Sequence, residues 1–90
     1  MRLARRYLVS GRVQGVGFRY FTRAAAMREG VDGSARNLPD GRVEIRAEAE
    51  ADALERFERA IRQGPRGARV DAVAVDRIDA DGRHSGFSIA

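Results

Sequence analysis

From Arg5 to Arg12 apolar and polar residues alternate, with Tyr7 and Val9 on one side and Leu8 and Ser10 on the other; this predicts a strand running out at Gly11. From Phe18 to Glu29 the spacing becomes helical. Phe18, Phe21, Ala24, Ala25, Met27 and the stem of Arg28 are expected toward the core, and Gly30 is placed to close the helix. A weaker strand follows over Val31 to Leu38. Leu38-Pro39-Asp40-Gly41 then supplies turn chemistry: proline presets one φ and glycine accepts a positive one. Arg42 to Ala49 alternates cleanly, with Val43, Ile45 and Ala47 facing a core and Glu44, Arg46 and Glu48 facing water.

Over Glu50 to Gln63, Leu54, Phe57 and Ile61 recur at helical spacing beside Ala53 and Ala60, and Gly64-Pro65 supplies the stop. Val70 to Ile78 is rich in β-branched residues, and a last short strand falls near Phe87 to Ile89. The order is βαββαβ with an extra C-terminal strand. It predicts an α+β, ferredoxin-like sandwich: an antiparallel sheet with both helices on one face.

Composition narrows the picture. A chain of 90 residues with 43% hydrophobic content builds one core, so a single domain over 1–90 is expected. Cysteine is absent, which removes disulfides, thiolate metal sites and cysteine nucleophiles together. No signal-peptide run opens the chain and no stretch approaches membrane-spanning length, so no membrane partner and a cytoplasmic location are expected. For want of an exposed apolar stripe, a monomer is expected. The formal charge of +4, with all 17 basic residues arginine, favours anionic ligands.

Candidate chemistry concentrates at the first strand-to-helix junction, SGRVQGVGFRYF. Glycine-rich loops that feed a helix gather outward-pointing backbone N–H groups at the positive end of the helix dipole, and Arg19 follows directly to add a guanidinium fork. The loop is therefore suited to an oxyanion, although a simple tight turn would use the same glycines. It is neither a Walker loop, which ends in Gly-Lys-Ser/Thr, nor a dinucleotide fingerprint, which needs a small residue where Tyr20 stands.

Other constellations are weaker. His84 lies in a polar turn segment and is read as solvated rather than as a base. Asp79 and Asp81 are read as turn formers, because Arg77 and Ser88 stand where a calcium loop needs ligands. The acids Glu48, Glu50, Asp52, Glu55 and Glu58 are read as a solvated face and helix start. Arg42 to Arg46 carries no aromatic for base stacking, which disfavours nucleic acid as a partner.

Two segments, Gly11-Arg12-Val13-Gln14-Gly15-Val16-Gly17-Phe18-Arg19 and Arg36-Asn37-Leu38-Pro39-Asp40-Gly41-Arg42-Val43-Glu44, resemble the signature segments of the acylphosphatases. Gly64-Pro65, Gly67-Ala68-Arg69-Val70 and Phe87-Ser88-Ile89 extend the resemblance from Tyr7 to Ile89. The resemblance implies hydrolysis of a carboxyl-phosphate anhydride to a carboxylate and inorganic phosphate, with no metal or other cofactor. It implies a small acyl phosphate as substrate and phosphate as product and competing ligand. It implies a backbone cradle over Gln14, Gly15, Val16, Gly17, Phe18 and Arg19, with Arg19 on the phosphoryl oxygens and Asn37 orienting the attacking water. Ser34-Ala35 departs from the large aromatic and valine more usual in that family, which puts the packing around Asn37 and the catalytic rate in question. The alternative reading is a non-catalytic anion-binding or regulatory domain of the same fold.

Overall fold

The structure, a computed structural model, describes residues 1–82 and 85–90. It contains β1 (Arg2–Arg12), α1 (Phe18–Glu29), β2 (Asp32–Asn37), β3 (Val43–Glu50), α2 (Ala51–Gln63), β4 (Arg69–Ile78) and β5 (Phe87–Ile89). The element order is the one the periodicity predicts, and α1 and β5 keep the predicted bounds. β1 starts earlier than expected because Arg2, Leu3 and Ala4 continue the ladder opposite Glu50, Ala49 and Glu48. His84 lies outside the described residues. Among those described, no helix is long and apolar enough to cross a membrane.

The sheet order is β4-β1-β3-β2-β5. The first four strands pair antiparallel, whereas β5 runs parallel to β2, so the sheet is mixed at that edge. Direction follows from topology. β4 runs opposite to β1 and ends where β1 and β2 begin, and the chain then crosses that end of the sheet. The Gly82 N–H meets the Glu48 carboxylate at 3.3 Å and the Gly86 N–H meets Asp32 at 2.9 Å. A strand started there beside β2 has to run the same way, which carries Ala90 to the opposite end of the sheet.

One core joins the sheet to both helices: Tyr7, Val9 and Ile45 pack with Phe18, Ala25, Leu54, Phe57 and Ile61. The Phe57 ring lies 6.1 Å from both Tyr7 and Phe87, a distance at which tilted aromatic pairs attract. Burial pushes the Tyr7 phenol up to about 12, so it stays neutral. In α1 the buried stripe is Phe18, Thr22, Ala25 and Ala26, while Ala24 and Met27, expected inward, are exposed. Thr22 can face the core because its hydroxyl donates to the Phe18 carbonyl at 2.9 Å.

The other face of the sheet is not simply open to water. Glu44 and Glu48 alternate outward as predicted, yet they are only 6% and 5% exposed, because guanidinium groups roof them. Arg6 and Arg36 each donate from Nε to one oxygen of Glu44 at 2.7 Å, and Arg2 donates to Glu48 at 3.3 Å. The reading of Glu48 as part of a solvated face is thus corrected: neighbouring strands carry long arginines at matching register, and their stems exclude water.

β2 reaches its partner unusually closely at Gly33. Its φ is 150°, and a Cβ there would stand 1.9 Å from the Arg46 carbonyl oxygen, a backbone atom that cannot swing aside. Gly33→Ala is therefore expected to cost roughly 3 kcal/mol or more, read as a fall in the urea midpoint. Glu44 gives a pH prediction. Burial alone would raise its pKa, but hydrogen bonds from Arg6 and Arg36 prevail and hold it below the ordinary 4.5. Its contribution to stability is complete above that value and is lost as pH falls through the lower folded-state value. Urea midpoints measured from pH 6 to pH 2 should fall through this window, less steeply in Glu44→Gln.

Candidate active site

The segment Val13–Gly17 leaves β1 and turns directly into α1. Gly15 and Gly17 take φ of 75° and 74°, and a Cβ at either would meet nothing within 4 Å. The turn therefore uses glycine for its left-handed backbone and not for space. Gly17 occupies the N-cap with no side-chain cap, and the first turn of α1 holds no acid. The first α1 amide with a backbone acceptor is that of Phe21, bonded to the Gly17 carbonyl at 3.0 Å. The amides before it are the orphan donors of a helix start, and the dipole adds positive charge to them. In α2 the first turn carries Asp52, whose carboxylate accepts from the Ala53 N–H at 2.9 Å. The two helix starts thus differ in that α2 has an acid in its first turn and α1 has none.

A cavity of about 230 Å³ opens at this end, lined by Val13, Gly15, Gly17, Phe18, Arg19, Tyr20 and Asn37. Five of the residues named from the sequence thus share one wall: Gly15, Gly17, Phe18, Arg19 and Asn37. Asn37 arrives from β2 by strand alternation. It points to the same side as the buried Ala35 but stands at the strand end, where it is exposed, with its carboxamide tied to no described residue. Arg19 donates from Nη1 to the Ala90 carbonyl, and the Ala90 N–H bonds Ala35 at 3.0 Å, so the end of the chain steadies the guanidinium.

Gln14 and Val16 do not line the cavity. Val16 packs against the core. The Gln14 side chain donates from Nε2 to the carbonyls of Leu38 at 2.8 Å and Arg42 at 3.0 Å, the two ends of the turn that follows Asn37. That turn is closed by Gly41 N–H to Leu38 and by Leu38 N–H to Arg42. Gln14 thus couples the glycine loop to the strand end that carries Asn37. Nothing in the sequence pattern signals this, because both acceptors are backbone atoms in a distant turn. Tyr20 and the Ala90 carbonyl were also missed; an aromatic on the polar side of a helix was the available signal for the former.

A second cavity, of about 160 Å³, lies at the other end of β1 and includes Arg2, Arg5 and Arg77 in its lining. Arg2 is paired there with Asp32 and Arg5 with Glu58. Among the described residues, no group of three His, Cys, Asp or Glu could hold a metal ion.

The acylphosphatase family model matches residues 5–89. The chain belongs to the acylphosphatase family. An acylphosphatase of Thermus thermophilus is 57% identical over 68 residues, which are 76% of this chain and 77% of that one. One of Salinibacter ruber is 51% identical over 81 residues, 90% of this chain and 85% of that one. The crystal structure of acylphosphatase from Bacillus subtilis superposes with a TM-score of 0.94 at 41% identity, covering 98% of each chain. Within this acylphosphatase-family fold, the glycine loop, Arg19 and Asn37 stand at the same end of the sheet.

The Gln14 coupling is testable. Gln14→Met keeps the length of the side chain and removes both donors. A loss of about tenfold in turnover is expected, together with a modest fall in melting temperature, since each lost hydrogen bond contributes about 1 kcal/mol. Turnover equal to that of the parent would show that the glycine loop and Asn37 keep their places without it.

Proposed function

We propose that the phosphoryl group of an acyl phosphate sits against the orphan amides at the start of α1, with Arg19 across its oxygens and Asn37 holding the attacking water. The chain hydrolyses acyl phosphates to a carboxylate and inorganic phosphate. The observation that carries the residue assignment is the convergence, on one cavity, of a helix start without a side-chain cap, a guanidinium and a carboxamide bonded to no described residue.

The amides of the 14–19 segment supply fixed donors for charge that spreads over the phosphoryl oxygens in the transition state, and they need no reorganisation when it forms. Arg19 spends one N–H on the Ala90 carbonyl and keeps the rest of its fork for the phosphoryl group. Asn37 approaches from β2, across β3 from the strand that feeds the loop, so a water on its carboxamide meets phosphorus opposite the leaving carboxylate. The water oxygen bonds to phosphorus as the bond from phosphorus to the acyl oxygen breaks. The carboxylate leaves with that electron pair, and the water's proton passes to a phosphoryl oxygen. Among the described lining residues no carboxylate, imidazole or thiol competes for that proton.

In this reading the protein works without a metal ion, in the cytoplasm, and each site is complete within one copy of the chain, as expected of a monomer. A net charge of +4 favours the approach of the anionic substrate.

Metal-free hydrolysis of benzoyl phosphate, with EDTA present and inorganic phosphate as competitor, measures the activity. Asn37→Ala is expected to lower turnover by about 100- to 1,000-fold with phosphate inhibition retained. Arg19→Lys is expected to lose most turnover and phosphate affinity while folding normally, since a point charge does not replace a planar fork. Full turnover in either variant removes that residue from its role. Phosphate binding without turnover in the parent would support the anion-binding domain instead.

A further inference from the structure

The cavity is larger than a phosphoryl group requires. A water takes about 30 Å³ in the liquid, so 230 Å³ leaves room beside the phosphorus and its oxygens for part of an acyl group. Three of the lining residues carry large apolar side chains. Val13 and Phe18 are each 1% exposed and form the floor beneath the backbone, which leaves Tyr20, 59% exposed, as the apolar surface a ligand can reach.

Its position in the helix aims it there. Tyr20 lies in the first turn of α1, and helical side chains lean toward the helix N-terminus, here back over the glycine loop. The ring is also steadied: the Arg23 guanidinium, one turn further along, sits 5.3 Å from its centroid, within cation–π range. One ring face is thus occupied, while the rest of the ring is exposed at the mouth of the cavity.

We propose that Tyr20 is the platform on which the acyl group docks, and that it gives this chain a preference for flat, apolar acyl groups over acetyl. The proposal rests on the acyl-phosphate reading of the same cavity. The phosphoryl group is held in the cradle for every substrate; the acyl group projects outward past Tyr20, where a planar group meets the ring by offset or edge contact and a methyl group does not reach it.

The test is the ratio of kcat/KM for benzoyl phosphate to that for acetyl phosphate, in the parent, Tyr20→Ala and Tyr20→Phe. The parent is expected to favour benzoyl phosphate. The ratio is expected to fall about tenfold in Tyr20→Ala and to be kept in Tyr20→Phe. Tyr20 lies outside the core, and circular dichroism checks that both variants fold. A ratio unchanged in Tyr20→Ala overturns the proposal, and so does an equal loss in Tyr20→Phe, which would assign the preference to the hydroxyl. Turnover of both substrates by the parent without preference overturns the platform alone. Turnover of neither overturns the hydrolytic reading as well.

Discussion

The backbone amides at the start of α1 have no protein partner in the N-cap or first turn, and the rest of the site is arranged around that deficit. A helix start ordinarily finds a serine, threonine or acid to take up its donors, as α2 does through Asp52. In α1 the cap is Gly17 in a left-handed conformation and the first turn contains Phe18, Arg19 and Tyr20, none of which can accept an amide through a carboxylate. The first turn therefore brings no acidic side chain to the positive end of the dipole. Placing Arg19 at the same point adds a like charge, a local cost to stability that an anionic ligand relieves. The second helix, whose first turn carries Asp52, shows that the lack of a first-turn acid belongs to α1 and not to the architecture.

Keeping that end open demands rigidity from elements that do not touch a ligand. Gln14 holds the loop to the turn after Asn37, and Ala90 holds Arg19 against the edge of β2. The second tie exists because β5 runs parallel to β2. An antiparallel fifth strand would have started at the site end and finished at the far one, and Ala90 would not lie beside Arg19. Sheet topology therefore reaches into the chemistry: the direction of a three-residue edge strand decides what steadies the guanidinium.

The outer face of the sheet illustrates a different balance. Glu44 and Glu48 are nearly buried, and a buried carboxylate is costly unless it is paired. Arginines from β1 and β2 supply the pairing from both sides of β3, which knits the central strands together by charge where the helix side does so by packing. Because a strand alternates with period two, the outward direction of these acids is readable from the chain; whether outward means water depends on what the neighbouring strands hold at the same register.

The sequence alone determined what depends on successive residues: the two helices, the strands, the turn at Leu38 to Gly41, the glycine-bearing loop before α1 and its suitability for an oxyanion. Each is a matter of local φ, ψ and hydrophobic period. The loop chemistry also singled out Arg19, and the resemblance to acylphosphatases then supplied Asn37 by motif. Tertiary structure decided the rest: that Asn37 and the loop share one cavity, that Gln14 works through its side chain, that Ala90 steadies Arg19, that Met27 faces outward, Thr22 inward, and Glu48 is roofed. These depend on strand order, register and the choice of a stripe on a helix with alanines on several sides. They are set by contacts between segments far apart in the chain, and no local pattern encodes such a contact until the sheet has closed.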